Sequence, residues 1–294
     1  MKKLFLAVFM FTHLSYANQA NSHTTRIGNT TFTIIEMENG FGKQRIIQAI
    51  RNSWKHFNSI FEYSPEHITI IEDSSAPMGG GAKEDFVFHI YTMEDIPIEV
   101  APLIESMLGW SPQDSTANYI LNEYSDFDDP IQAYVDDVVI HELAHAYLGY
   151  GKTKVNGVEL DNWFALGLGI VYDRLIWNKL NNGKKSPIFF NTVQIWKNKY
   201  SRNQNIDQKL INPDISNDQR GGLVSRMQTY GHGKSYVFLR KLREQITPIV
   251  FDKIVNKFIT KAPQPTISYD NFLLDIPAEY DDIIKNLEEE FQVR

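Results

Sequence analysis

The sequence predicts an α+β domain in two lobes, strand-rich first and helical second, and three observations carry that expectation. Before residue 92 the chain holds short β-branched and aromatic runs bounded by turn residues, with one segment of helical period among them. From about residue 130 onward apolar residues recur mainly at helical spacing. No internal repeat, low-complexity tract or linker divides the two parts, so one domain in two lobes is the economical arrangement.

The elements follow in order. Thr24 to Asn39 reads as a short β segment centred on Thr31–Ile35. Phe41–Phe61 places Ile46, Ile47, Ile50, Trp54, Phe57 and Ile60 near a 3.6-residue period, which predicts a helix. His67–Ile71 and Phe86–Thr92 read as strands, and the Gly-rich run Pro77–Ala82 between them as a flexible loop. Helices are predicted over 132–150, 162–181, 228–245 and 248–260, with Lys152–Asp161 and Asn181–Pro187 as connecting loops.

Composition narrows the setting. A chain of 294 residues at 43% hydrophobic and 13% aromatic content can bury a substantial core. A net charge of −7 argues against nucleic acid and anionic membrane surfaces as partners. There is no cysteine, so disulfides, thiol catalysis and lipid attachment through cysteine are excluded.

The first residues, MKKLFLAVFMFTHLSYANQA, combine Lys2 and Lys3, an apolar run from Leu4 to Phe11, and Ser15-Tyr16-Ala17. That is the layout of a secretory signal, residues 1–17, cut after Ala17. The run is shorter than the roughly 20 residues that span a bilayer. The expected mature protein is therefore residues 18–294, secreted or periplasmic, with no stable membrane association. Its single domain is expected to divide into an α/β lobe over 18–150 and a helical lobe over 151–294.

The stretch VVIHELAHAYLGY, residues 138–150, carries the chemistry. On a helix His141 and His145 lie one turn apart and about 40° apart around the axis, so both imidazoles reach one ion. Val139, Ile140, Leu143, Tyr147 and Tyr150 fall on the opposite side as a face to bury. Glu142 lies beside the histidine face, where its carboxylate can touch a metal-bound water without binding the metal. Zn2+ is the expected ion.

Two further segments accompany this one: DNWFALGLGIVYDRL, residues 161–175, and MQTYGHGKSYVFLRKLREQI, residues 227–246. With them the chain resembles the gluzincin (HExxH) zinc metallopeptidases, in particular the aminopeptidase-like group with thermolysin-like catalytic domains, over roughly residues 60–260. The resemblance implies a two-lobed thermolysin-like metallopeptidase domain joined at the HExxH helix. It implies His141 and His145 as metal ligands and Glu142 as general base. In that family a second helix bears W-x-x-E-G-x-A, whose glutamate is the third zinc ligand. Here Trp163 and Gly167 match, and Leu166 stands at the glutamate position. The family's tyrosine-x-x-glycine motif corresponds to Tyr230 and Gly233, which implies Tyr230 as the residue stabilising the tetrahedral intermediate. The Gly-rich run at 79–84 lacks the family's exopeptidase loop pattern and reads as an ordinary loop.

The third ligand is the open question. Asp173 lies seven residues past Leu166, on nearly the same face but about 10 Å along the axis. If Gly169 instead holds the ligand position, Asp173 falls four residues on, where thermolysin-like enzymes place an aspartate that supports a histidine. Neither register puts an acid at the ligand position. Glu159 or Asp161 could reach in from the preceding loop, Asp161 being equally a helix N-cap, and His232 is a further candidate donor or, as a loop histidine after glycine, an exposed turn residue. Two readings follow. One is an exported zinc metallopeptidase hydrolysing peptide bonds through a metal-activated water. The other is a catalytically impaired relative that binds peptides or proteins in the former cleft. A third reading makes HELAH incidental.

Overall fold

The computed structural model describes residues 21–38, 40–62, 64–73, 80–84, 86–91, 122–148, 154–155, 158–159, 162–187, 193, 233–259 and 269–293. Five strands form the main sheet: β1 (Asn21–Ile27), β2 (Thr30–Glu36), β3 (His67–Asp73), β4 (Gly80–Glu84) and β5 (Val87–Tyr91). Their order is β1-β2-β3-β5-β4. The inner pairs β2–β3 and β3–β5 are parallel, and the outer pairs β1–β2 and β4–β5 antiparallel.

Phe32 and Ile34 of β2, Ile68 and Ile70 of β3, and Phe88 and Ile90 of β5 are buried, every second residue along their strands. That alternation commits one sheet face to the core. The segment read as one strand is a hairpin, because Gly28 at φ 62° lets the chain reverse between β1 and β2. The Gly-rich run is not a loop from Gly80 onward. It forms β4, whose backbone pairing with β5 overrides the low strand propensity of glycine.

Helix α1 (Lys43–Ile60) buries Ile46, Ala49, Ile50, Ser53, Trp54 and Phe57 on one face, as its period predicts. Helix α2 (Pro130–Leu148) carries HELAH. It begins two residues before the expected 132. Pro130 opens it, where a missing N–H costs nothing, and the Asp129 carboxylate accepts the Gln132 N–H at 3.0 Å. Residues 154–155 and 158–159, expected as loop, pair as a small antiparallel ribbon of β6 (Lys154–Val155) and β7 (Val158–Glu159). Helix α3 (Asn162–Leu180) follows and packs on α2.

The remaining described elements are helical: α4 (Ser235–Gln245), α5 (Pro248–Ile259), α6 (Tyr269–Leu274) and α7 (Asp281–Glu290). One continuous hydrophobic cluster joins the sheet, α1 to α4 and the C-terminal helices as far as Val293. Among the described residues no helix is long and apolar enough to cross a membrane. Residues 1–17, Tyr150, Asp161, Tyr230 and His232 lie outside the described residues.

Candidate metal centre

The HELAH helix is held from behind by aromatic packing. Tyr147 stacks on Phe57 with centroids 5.2 Å apart and on Phe61 at 4.8 Å, and its hydroxyl donates to Asn58 Oδ1 at 3.0 Å. Phe61 also meets Tyr172 of α3 edge-on at 4.8 Å, so one hub fixes α1, α2 and α3 together. Val139, Ile140 and Leu143 are fully buried, as the spacing predicts.

The helix is nevertheless not amphipathic in the expected sense. Residues on nearly every side are buried, including Glu142 and His145 at 2% exposure. A helix enclosed on all sides has to satisfy its polar groups internally. His141 is the more open of the two histidines, its side chain 24% exposed.

The structure brings the two histidines together. Their Nε2 atoms are 3.0 Å apart, with the ring planes crossed at 87°. Two imidazole nitrogens this close would both be able to bind one divalent ion. On the far side of its ring, His141 Nδ1 lies 2.7 Å from Asp173 Oδ2 on α3. A carboxylate only accepts, so Nδ1 carries the hydrogen and the Nε2 lone pair of the neutral ring faces His145. Burial works against charge on His141, but the hydrogen bond and charge of Asp173, then the charge of Glu142, outweigh it and raise the pKa.

Glu142 lies between the two histidines in sequence, and burial pushes its carboxyl up to about 7, against the pull of His141. Its Oε2 is buried and makes no hydrogen bond among the described residues. A carboxyl of that pKa is matched to exchanging protons near neutral pH.

Asp173 belongs to a wider buried chain that the sequence reading missed. Its Oδ1 accepts from Arg174 Nε, and Arg174 Nη2 reaches Asp137 Oδ1 at 2.8 Å. Asp137 Oδ2 accepts from Tyr124 OH at 2.8 Å and Ser186 Oγ at 2.5 Å. The signal was available: an Asp-Arg pair inside an otherwise apolar helix has to be neutralised by burial partners.

The other expected residues are distributed as follows. Leu166 is buried at 1% exposure, and Trp163 packs among Phe164, Phe238 and Tyr269 with centroids 5.2 to 6.2 Å away. Gly167 faces α4, and a Cβ built there would come within 2.8 Å of Ser235 Oγ and Leu239 Cδ1. Gly169 faces His145. Glu159 lies on β7. Among the described residues no group of three or more His, Cys, Asp or Glu side chains is placed to hold a metal. Among the described residues His141 and His145 would hold a divalent ion through their Nε2 atoms, with the buried Glu142 carboxyl next to His141 on the same helix.

The fold is similar to that of solved structures. A mutant of the M1 zinc metallopeptidase from Deinococcus radiodurans superposes with a TM-score of 0.50 at 10% identity, covering 93% of this chain and 51% of that one. The fold is that of part of an M1 zinc metallopeptidase. The metallopeptidase from Deinococcus radiodurans without that mutation gives 0.48 at 11% identity, over 93% of this chain and 51% of its own. A two-domain M1 mutant bound to L-arginine gives 0.47 at 10%, over 93% and 50%. The chain thus spans about half the length of these M1 structures. No family model and no curated protein matches the sequence.

Proposed function

We propose that this chain is an exported, peptide-binding member of the M1 metallopeptidase fold whose hydrolytic centre is weakened. His141 and His145 would hold the ion, which when bound supplies Lewis acidity to whatever oxygen reaches it. Asp173 orients His141, and Glu142 offers a buried proton acceptor alongside. Tyr230 would meet the charge that develops on a substrate carbonyl. The thermolysin-like two-lobed arrangement, the leader at 1–17 and a secreted or periplasmic location belong to the same proposal.

One observation supports a weakened centre. Among the described residues the face of α3 that meets the histidine pair offers Gly169, which has no side chain, and Asp173, whose two oxygens are taken by His141 Nδ1 and Arg174 Nε. Two neutral nitrogens leave the ion's double charge uncompensated, so zinc binds less tightly than in a three-ligand site. A peptide has a natural place to lie. Among the described residues β1 and β4 are the edges of the sheet, and β4, which packs against α2, could take up an extended chain by backbone hydrogen bonds.

A second reading, an active zinc metallopeptidase, is favoured by the intact Asp173–His141 contact and the buried Glu142 carboxyl with its pKa pushed up to about 7. Cleavage of a broad peptide library by wild type and Glu142→Gln, alongside peptide-binding and zinc titrations, separates the two. The proposal expects zinc and peptide binding with little turnover in the wild type. Efficient zinc-dependent cleavage by the wild type that disappears in Glu142→Gln establishes the active enzyme instead. Absence of both zinc and peptide binding, unchanged in His141→Ala, would make HELAH incidental.

A further inference from the structure

Helix α3 carries two glycines in its buried middle, each costing about 1 kcal/mol of helix propensity relative to alanine. The first has a packing reason, since Gly167 admits Ser235 and Leu239 of α4. The second faces the histidine pair. A Cβ at Gly169 would stand 2.5 Å from His145 Nδ1 and 2.7 Å from its Cε1, closer than any real carbon contact. The imidazole ring occupies the room that a side chain would take.

The same helix holds the other histidine one turn later, through Asp173 on His141 Nδ1. Stepping four residues forward on α2, from His141 to His145, corresponds to stepping four residues back on α3, from Asp173 to Gly169. The helices run antiparallel in matched register at this point, and each imidazole meets α3 with the edge that bears Nδ1. Both Nε2 atoms are thereby turned away from α3 and towards each other.

We propose that Gly169 is a positioning residue: its bare backbone seats the His145 ring, as the Asp173 carboxylate seats that of His141. The crossing of α2 and α3 thus preorganises the pair. A side chain at 169 displaces the ring, so a carboxylate introduced there would disturb the histidine pair rather than complete the centre. The metal-binding consequence rests on the proposed function above; the seating of the ring does not.

Gly169→Ala and Gly167→Ala make the same chemical change two residues apart and are compared in the full chain. Zn2+ affinity, measured by competition with a chelating dye, is expected to fall about 10- to 100-fold in Gly169→Ala, the range for residues that orient a ligand. The imidazole nitrogen resonances of His145 are expected to shift in the same variant. Gly167→Ala is expected to lower the melting temperature while leaving affinity within about twofold and resonances unmoved. Unchanged affinity and resonances in Gly169→Ala, or equal changes in both variants, overturn the proposal.

Should Gly169→Ala fold poorly, its destabilisation is measured in metal-free protein with and without His145→Ala. The cost of the added methyl at position 169 should disappear once the ring is gone. An equal cost in both backgrounds overturns the proposal. If wild type itself binds no zinc, the metal reading fails, and this cycle with the metal-free resonances still decides the seating of His145.

Discussion

Asp173 Oδ2 accepts a hydrogen bond from His141 Nδ1 at 2.7 Å, while its other oxygen receives the Arg174 guanidinium. One fully buried carboxylate therefore answers to two partners, the candidate metal centre on one side and a structural ion pair on the other.

Asp173→Asn keeps the shape and removes the charge. Zn2+ affinity is expected to drop about 10- to 100-fold, because the amide no longer fixes the His141 tautomer as strongly. Titration of zinc into wild type and variant checks it. An affinity close to that of wild type would show that Asp173 serves the fold alone.

Arg174 sits between Asp173 and Asp137, all three nearly solvent-free. Arg174→Met leaves two buried carboxylates without their cation, and a loss of about 3–5 kcal/mol of folding stability is expected. Urea denaturation reads this directly, and a loss under about 1 kcal/mol would mean that the carboxylates find other partners.

Asp136, on the same helix, is pushed up to about 6 by burial, with the Asp137 charge adding and the Gln132 amide, 2.8 Å away, working in the opposite direction. A carboxyl whose folded pKa exceeds its unfolded value of 3.8 favours folding in its protonated form. That contribution is complete below pH 3.8 and is lost as pH rises through about 6. Its size is on the order of 3 kcal/mol. Asp136→Asn should flatten this part of the stability profile, and denaturation midpoints from below pH 3.8 to above about 6 in wild type and variant test it. Parallel profiles would refute the assignment.

Gly40 is pressed against Glu72, whose carboxylate accepts the backbone N–H groups of Met37, Phe41 and Gly42. A Cβ at position 40 would overlap that carboxylate. Gly40→Ala is therefore expected to cost about 1–3 kcal/mol, as overpacking does. Thermal unfolding of the variant provides the measurement, and an unchanged melting temperature would show that the 37–42 turn yields freely.

What the sequence settled by itself is local. The period of α1, the one-turn spacing of His141 and His145, the apolar side opposite them, and the extents of α2 and α3 to within about two residues all follow from neighbours along one chain. Helical geometry fixes the angle between residues of the same helix whatever surrounds it, so these features needed no partner to be predicted. The strand from Gly80 to Glu84 was not legible, because only pairing with β5 makes extended glycines a strand. Nor was the near-complete burial of α2, which depends on what covers it. The roles of Asp173 and Gly169 lay equally beyond reach. Sequence spacing offered two registers for α3, and the choice of which residues oppose His141 and His145 belongs to the crossing of two helices. That crossing is set by packing at Tyr147, Phe61, Tyr172 and Gly169, distributed over several helices, and no single segment encodes it.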